Sequence, residues 1–245
     1  MTGRRRQSDG LPAFDACSRS EPCRLEVAER APKVFVVDDS ATVRDALLAL
    51  FESVGIDAVA HDCGERLLDT LDPGAAGCAL LDVRMPGIGG LPLARELHAR
   101  GIGLPIVFIS AHVDVRFTVE AMRMGAEDVI EKPFREQDVL DRTQRCLQVD
   151  RERRAREREV GEVHERLDAL SARERTVLEH VLHGEANQEI AAAINLSRRT
   201  IETHRAHLMH KMHARSLAEL VAMVTRTRTL QRDHAATRYS PQSIA

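Results

Sequence analysis

The sequence has no tryptophan, one tyrosine and six phenylalanines, so aromatic residues fill only 3% of its 245 positions. Any core it forms is aliphatic, and the scarcity argues against an aromatic platform for stacking single-stranded bases. No stretch approaches the roughly 18 consecutive apolar residues of a membrane-spanning helix, so no membrane partner is expected. Arg4, Arg5 and Arg6 open the chain on positive charge, but no apolar segment follows them as it would in a secretory signal. Cysteine is sparse and odd in number, at Cys17, Cys23, Cys63, Cys78 and Cys146. A scattered, odd set fits a reducing cytoplasm rather than a disulfide framework. Cys17 and Cys23 have no nearby Cys/His pair to complete a metal site.

What remains is a chain long enough for two domains, 43% hydrophobic and 30% charged. Residues 1–32 combine Gly, Pro, Ser and Arg without apolar periodicity and read as a disordered N-terminal tail. From Lys33 to residue 148, short apolar runs (34–37, 78–81, 106–109, 129–130) alternate with segments of helical period such as Val43, Leu47, Leu48 and Phe51. Alternating strands and helices predict an α/β domain, a five-stranded parallel sheet covered on both faces. Residues 149–169 are mostly Arg and Glu, with a narrow seam at Val160, Val163 and Leu167 that continues to Leu170. The seam fits a solvated linker helix or a short dimerising coil, and is too brief to favour the coil. Residues 170–229 read as an all-α set of short helices. Ser171 with Glu174, and Ser216 with Glu219, form capping-box patterns at two helix starts. Residues 230–245 read as a C-terminal tail.

The net charge of −3 conceals a division. Residues 33–148 hold 12 basic and 19 acidic side chains, whereas residues 170–229 hold 9 basic and 6 acidic ones. An acidic half beside a basic half points to a nucleic-acid module joined to a domain with another task.

In the acidic half, Asp38, Asp39 and Asp82 follow predicted strands, where open parallel sheets bind their ligands. Carboxylates crowded at one rim repel unless a cation joins them, and an all-oxygen set favours Mg²⁺ over Zn²⁺. Ser110 ends the fourth run and Lys132 ends the fifth, directly before Pro133. A hydroxyl and an ammonium at the same rim could hold phosphoryl oxygens. Each residue alone is more often a turn or cap residue; five at successive strand ends form a set.

The segments VFVVDDS (34–40), LLDVRMPGIGG (80–90), FISA (108–111) and IEKPF (130–134) resemble the receiver domain of two-component response regulators, a flavodoxin/CheY-like fold. The resemblance covers residues 33–148. It implies that Asp82 is the nucleophile that takes a phosphoryl group from the phosphohistidine of a sensor histidine kinase. It further implies that Asp38, Asp39, Asp82 and the backbone carbonyl of Arg84 hold Mg²⁺, that Lys132 pairs with the phosphate and that Ser110 moves to bond it. The Lys132–Pro133 bond is expected to be cis on the same ground. One position departs from the pattern: Val129 stands where the family often has Tyr or Phe, which puts the aromatic read-out of activation in doubt.

In the basic half, residues 187–194, the turn at Asn195 and Leu196, and a helix from Arg198 to about Met212 predict a helix-turn-helix, its motif at about 187–206. Ser197 is placed to cap the second helix, which buries Ile201, His204, Leu208 and Met212. The stretches LSARERTVLEHVL (170–182), NQEIA (187–191) and RTIETHRAHLMHKM (199–212) resemble the LuxR-type DNA-binding domain, and the two domains together resemble the FixJ-type subgroup of NarL/FixJ regulators. Asn195 replaces a frequent Gly, a change an αL-tolerant Asn absorbs. The resemblance implies that Thr200, Glu202, Thr203, Arg205 and Ala206 face the groove of double-stranded DNA, that Arg198, Arg199 and Lys211 contact phosphates, and that Leu217, Leu220, Val221 and Val224 form a homodimer surface and also pack internally. His204, His207, His210 and His213 recur every three residues, a step that drifts around a helix, so no shared metal site is expected.

The chain is therefore expected to be a phosphorylation-controlled transcription regulator, acting with RNA polymerase and not an enzyme beyond its own aspartyl-phosphate chemistry. One alternative is a constitutive DNA-binding regulator with an uncoupled receiver. Another is a Mg²⁺-dependent phosphohydrolase, which would want an Asp where Arg84 stands.

Overall fold

The computed structural model describes residues 31–238, with side chains through Thr229. Most of the predicted N-terminal tail and the last seven positions, 239–245, lie outside the described residues. Five strands, β1 (Lys33–Val37), β2 (Ala58–His61), β3 (Gly77–Asp82), β4 (Ile106–Ser110) and β5 (Asp128–Glu131), pair in the order β2-β1-β3-β4-β5. All four pairings are parallel. The inner strands read as unbroken apolar runs because both of their faces are covered, and every residue of β3 and β4 is buried. The edge strand β2 is half-exposed and carries no such run, which is why hydrophobic runs alone do not mark it.

Helices α1 (Ala41–Ser53), α2 (Gly64–Thr70), α3 (Gly90–Ala99), α4 (Val115–Arg123) and α5 (Glu136–Asp168) complete this domain. They divide its interior into two layers. Leu81, Leu93, Leu97 and Phe108 lie on one face of the sheet, and Val36, Leu47, Phe51 and Ile109 on the other. As the composition requires, the fill is aliphatic; Phe51 and Phe108 are the aromatic side chains among the largest fully buried ones. Phe108 meets Phe117 edge to face at a centroid distance of 5.8 Å.

The segment 149–169 is not a separate element. It is the continuation of α5, whose 33 residues make one helix roughly 50 Å long at 1.5 Å per residue. Val139, Thr143, Cys146 and Asp150 are buried at helical spacing on its first half. Further on, Val163 and Leu167 enter a second core with Leu170, Val177, Ile190, Ile201, Leu208, Met212, Leu220 and Val224. Two residues of the linker's seam, Val163 and Leu167, thus pack against the chain's own C-terminal helices.

Those helices are α6 (Ala172–Leu182), α7 (Asn187–Ala193), α8 (Arg198–Lys211) and α9 (Leu217–Arg238). The Ser171–Glu174 capping box is complete, and α6 stops before Gly184 at φ +83°. Ser216 accepts from the Glu219 N–H at 3.1 Å, while the Glu219 carboxylate reaches back to the N–H of Arg215. Helix α9 runs through Arg238, so the first part of the expected C-terminal tail is helical.

Because the two cores are separate, truncation in one reports on that domain. Phe108→Ala removes a fully buried ring and is expected to cost about 3–5 kcal/mol. Calorimetry of the full chain is expected to show the receiver transition lowered and the C-terminal transition unchanged.

Candidate functional site

Parallel pairing brings the carboxyl ends of β1, β3, β4 and β5 to one edge, with Val37 opposite Leu81, Asp82 opposite Ile109 and Ser110 opposite Glu131. The residues at or just beyond those ends are Asp38, Asp39, Asp82, Ser110 and Lys132, all five singled out by the sequence. Asp38 and Asp82 are buried and Asp39 is exposed, and one oxygen from each falls within 4.8 Å of the others. Lys132 Nζ donates to Asp38 Oδ2 and to Asp82 Oδ2, both at 2.7 Å. The Lys132–Pro133 bond is cis.

Burial pushes the Asp38 carboxyl above its ordinary range, although Lys132 and the Ser40 N–H pull the other way. Burial likewise opposes the Lys132 charge, but its hydrogen bonds to Asp38 and Asp82 prevail, and the ammonium titrates above its usual value. Three carboxylates against one ammonium leave the rim negative when ionised. That excess, offered by oxygens alone, suits a hard divalent cation.

Ser110 is buried at the same rim, but its hydroxyl is turned into its own loop. It donates to the His112 carbonyl at 2.8 Å and accepts from the His112 N–H at 3.2 Å. The Arg84 N–H donates to Asp82 Oδ1 at 3.1 Å. Val129 packs with Phe117 and Met124 against the core. Two supports escape the sequence reading. Arg44 donates to the Asp38 carbonyl at 2.7 Å, and Glu65 accepts from the Ile88 N–H at 2.9 Å, securing the loop after β3. Neither pair has a spacing that marks it in advance.

In the second domain, Ser197 caps α8 by accepting from the Thr200 N–H at 3.1 Å, and Asn195 turns the chain at φ +54°. Arg198, Arg199, Glu202, Thr203 and Ala206 are exposed along one helix, with Arg198 paired to Glu202 at 3.0 Å. Ile201, Leu208 and Met212 are buried as expected, whereas His204 is only half-buried. Among the described residues, Asp38, Asp39 and Asp82 are the sole cluster of three or more side chains placed to hold a metal ion.

Residues 34–144 match the response regulator receiver domain family, and residues 168–224 match the bacterial regulatory proteins of the luxR family. The chain is 41% identical over 190 residues to Nodulation protein W of Bradyrhizobium diazoefficiens, covering 78% of this chain and 84% of that one. It is 43% identical over 190 residues to Transcriptional regulatory protein FixJ of Azorhizobium caulinodans, covering 78% and 90%. The response regulator StyR superposes with a TM-score of 0.74 at 39% identity, over 80% of this chain and 100% of StyR. Full-length FixJ from B. japonicum gives 0.50 at 37% identity, over 81% and 98%. The chain is a FixJ-type two-component response regulator.

Within this response regulator, two of the expected DNA contacts are engaged inside the domain. Lys211 Nζ lies 2.8 Å from Glu174 Oε2 and 3.2 Å from the Ala169 carbonyl, because a buried carboxylate needs a cation beside it. Arg205 donates to Asn187 Oδ1 at 2.8 Å and ties α8 to α7. The residues expected at a dimer surface differ in burial. Leu220 and Val224 are fully buried in the domain's own core, while Leu217 is 43% exposed and Val221 half-buried. Apolar spacing on a helix cannot distinguish a core face from a partner face.

Lys211 holds the Glu174 carboxyl at about 2, down from 4.5, helped by the Ser171 N–H. A depressed folded-state value means that this stabilisation is complete above about pH 4.5 and is lost as the pH falls toward 2. Glu174→Gln is expected to destabilise the C-terminal domain at neutral pH and to flatten its acid-unfolding profile across that window, as followed by circular dichroism.

Proposed function

We propose that this response regulator is switched by phosphorylation of Asp82 by a sensor histidine kinase and then binds DNA as a dimer. What carries the reading is Asp82 itself, buried at a strand end, with Lys132 on one oxygen and the Arg84 N–H on the other. An Asp82 oxygen attacks the phosphorus of the kinase's phosphohistidine, the P–N bond breaks, and its electron pair stays on the imidazole. Asp38, Asp39, Asp82 and the Arg84 carbonyl would hold Mg²⁺. When bound, the ion neutralises phosphoryl oxygens and lowers the charge barrier to transfer. Lys132 then turns from the Asp82 carboxylate to a phosphoryl oxygen. Ser110 leaves its bond to the His112 carbonyl and donates to another, and the movement of its loop signals occupancy.

On the output side, Arg198 and Arg199 meet phosphates of double-stranded DNA, while Thr200, Glu202, Thr203 and Ala206 approach the groove. Leu217 and Val221 are the α9 residues left for a second copy. Transcription is then regulated through contact with RNA polymerase in the cytoplasm. A constitutive regulator is the second reading, favoured by Val129, which gives the pocket no aromatic side chain to turn inward.

Incubation of wild-type protein with labelled acetyl phosphate and Mg²⁺ is expected to label it, and Asp82→Asn is expected to take up none; label persisting in the variant overturns the assignment. Arg199→Ala is expected to weaken binding to every DNA sequence and to reduce the slope of log K against log salt by about 0.9, the value for one phosphate. An unchanged slope removes Arg199 from the interface. Beryllofluoride is expected to raise DNA affinity, whereas equal affinity with and without it selects the constitutive reading.

A further inference from the structure

Helix α5 leaves the receiver through a buried cluster that no part of the phosphorylation chemistry uses. Asp150, 1% exposed, accepts from the Gly77 N–H at 2.9 Å, across 73 residues of sequence. Arg153 Nη2 meets its Oδ1 at 2.5 Å and Arg154 Nε meets its Oδ2 at 2.8 Å. Arg154 also donates to the carbonyls of Gly74 and Ala75, while the Arg153 guanidinium lies over Gly103 in the loop before β4. Gly77 itself is fixed by the neighbouring strand β1. Its φ is +129°, and a Cβ there would sit 1.8 Å from the Lys33 carbonyl oxygen.

The positions of these contacts matter more than their number. Strand β3 is six residues long and buried throughout, with Gly77 at one end and Asp82 at the other. The strand that carries the acceptor is therefore bonded at its far end to the helix that carries the DNA-binding domain. Past Arg154 the helix surfaces, and residues 155–159 are all exposed. Contact resumes where Glu159 pairs with Arg226 at 3.0 Å and Val163 enters the second core. Helix α5 is thus a strut between the two domains, and the last contact on its receiver side is a carboxylate shared by two guanidinium groups and a backbone N–H.

We propose that Asp150, Arg153 and Arg154 form a clamp that fixes α5 on the base of the receiver and couples the DNA-binding domain to the state of the acceptor strand. These are positioning residues, and the coupling half of the proposal rests on control by phosphorylation at Asp82. An unpaired buried charge does not hold a helix, so removing either member of the ion pair releases the strut while the pocket at the opposite edge stays assembled.

The test uses the full chain with Asp150→Asn, which keeps the side-chain shape and removes its charge, and with Arg154→Ala. Amide hydrogen exchange without phosphate is expected to be at least tenfold faster over residues 150–158 in both variants, with β1, β3 and β4 unchanged. Labelling by acetyl phosphate is expected to stay within twofold of wild type, and the gain in DNA affinity with beryllofluoride is expected to fall below twofold. Arg154→Lys, which retains charge but loses the fork, covers the case in which Asp150→Asn loosens the sheet itself. Unchanged exchange in α5 overturns the clamp. Faster exchange with a wild-type beryllofluoride gain overturns the coupling. A wild-type protein with no gain at all overturns phosphorylation control instead, and the exchange result then decides the clamp by itself.

Discussion

Everything at the acidic edge of the sheet depends on electrostatic compensation of acids that the fold has crowded together. Parallel pairing places Asp38 and Asp82 on neighbouring strands, buried, with Asp39 beside them. Like charges at that spacing would drive protons onto the carboxylates or force the strands apart. Lys132 prevents both by bonding one oxygen of each buried acid at 2.7 Å. Its bonds to the two acids raise the titration of Lys132 against the pull of burial, whereas burial, more than the Asp82 charge, keeps Asp38 above its ordinary range. The pocket is stable as it stands, but its surplus of negative oxygens is unsatisfied, and that surplus is what a hard cation and a phosphoryl group can use.

Much of this arrangement was legible beforehand because it follows from short-range rules. Inner strands are apolar runs, the carboxyl ends of parallel strands share an edge, and the acids, Ser110 and Lys132 each follow such a run. The capping box at Ser171 and the left-handed turn at Asn195 are likewise local chemistry. What escaped reading depends on contacts distant in sequence. Strand β2 has an edge environment and no apolar signature. Arg44, Glu65 and Asp150 are ordinary charged helical residues until the fold sets them against Asp38, Ile88 and Gly77.

The same limit explains the revised roles in the basic domain. Lys211 and Arg205 belong to a run of positive charge that reads as DNA-facing, yet each is turned toward a polar group of its own domain. Net charge on a helix counts its cations without saying which are already committed. Arg198, paired only with exposed Glu202 one turn on, and exposed Arg199 lie at the N-terminal part of α8, followed by exposed Thr203 and Ala206. A recognition helix contacts base edges with its N-terminal residues, and the proposed DNA contacts at Arg198 and Arg199 lie at that end. The C-terminal end, through Lys211, anchors the helix to α6.

Among the described residues four buried carboxylates are met by cations, Asp38 and Asp82 by one shared lysine, and the manner of pairing differs between the sites. Asp150 is held by two guanidinium groups, each with several fixed donors, and by a backbone N–H, an arrangement that resists rearrangement because many bonds must break together. Glu174 is bonded by Lys211 and by both the hydroxyl and the N–H of Ser171, which makes it part of a helix terminus. Asp82 has the lightest hold, one N–H and one ammonium shared with Asp38. A lysine suits that position, since its compact charge on a flexible stem can turn to a new partner without losing a bidentate geometry. On the proposed function the acid that changes partners is the one paired with the most mobile cation, whereas Asp150 and Glu174 are surrounded by donors that fix their helices.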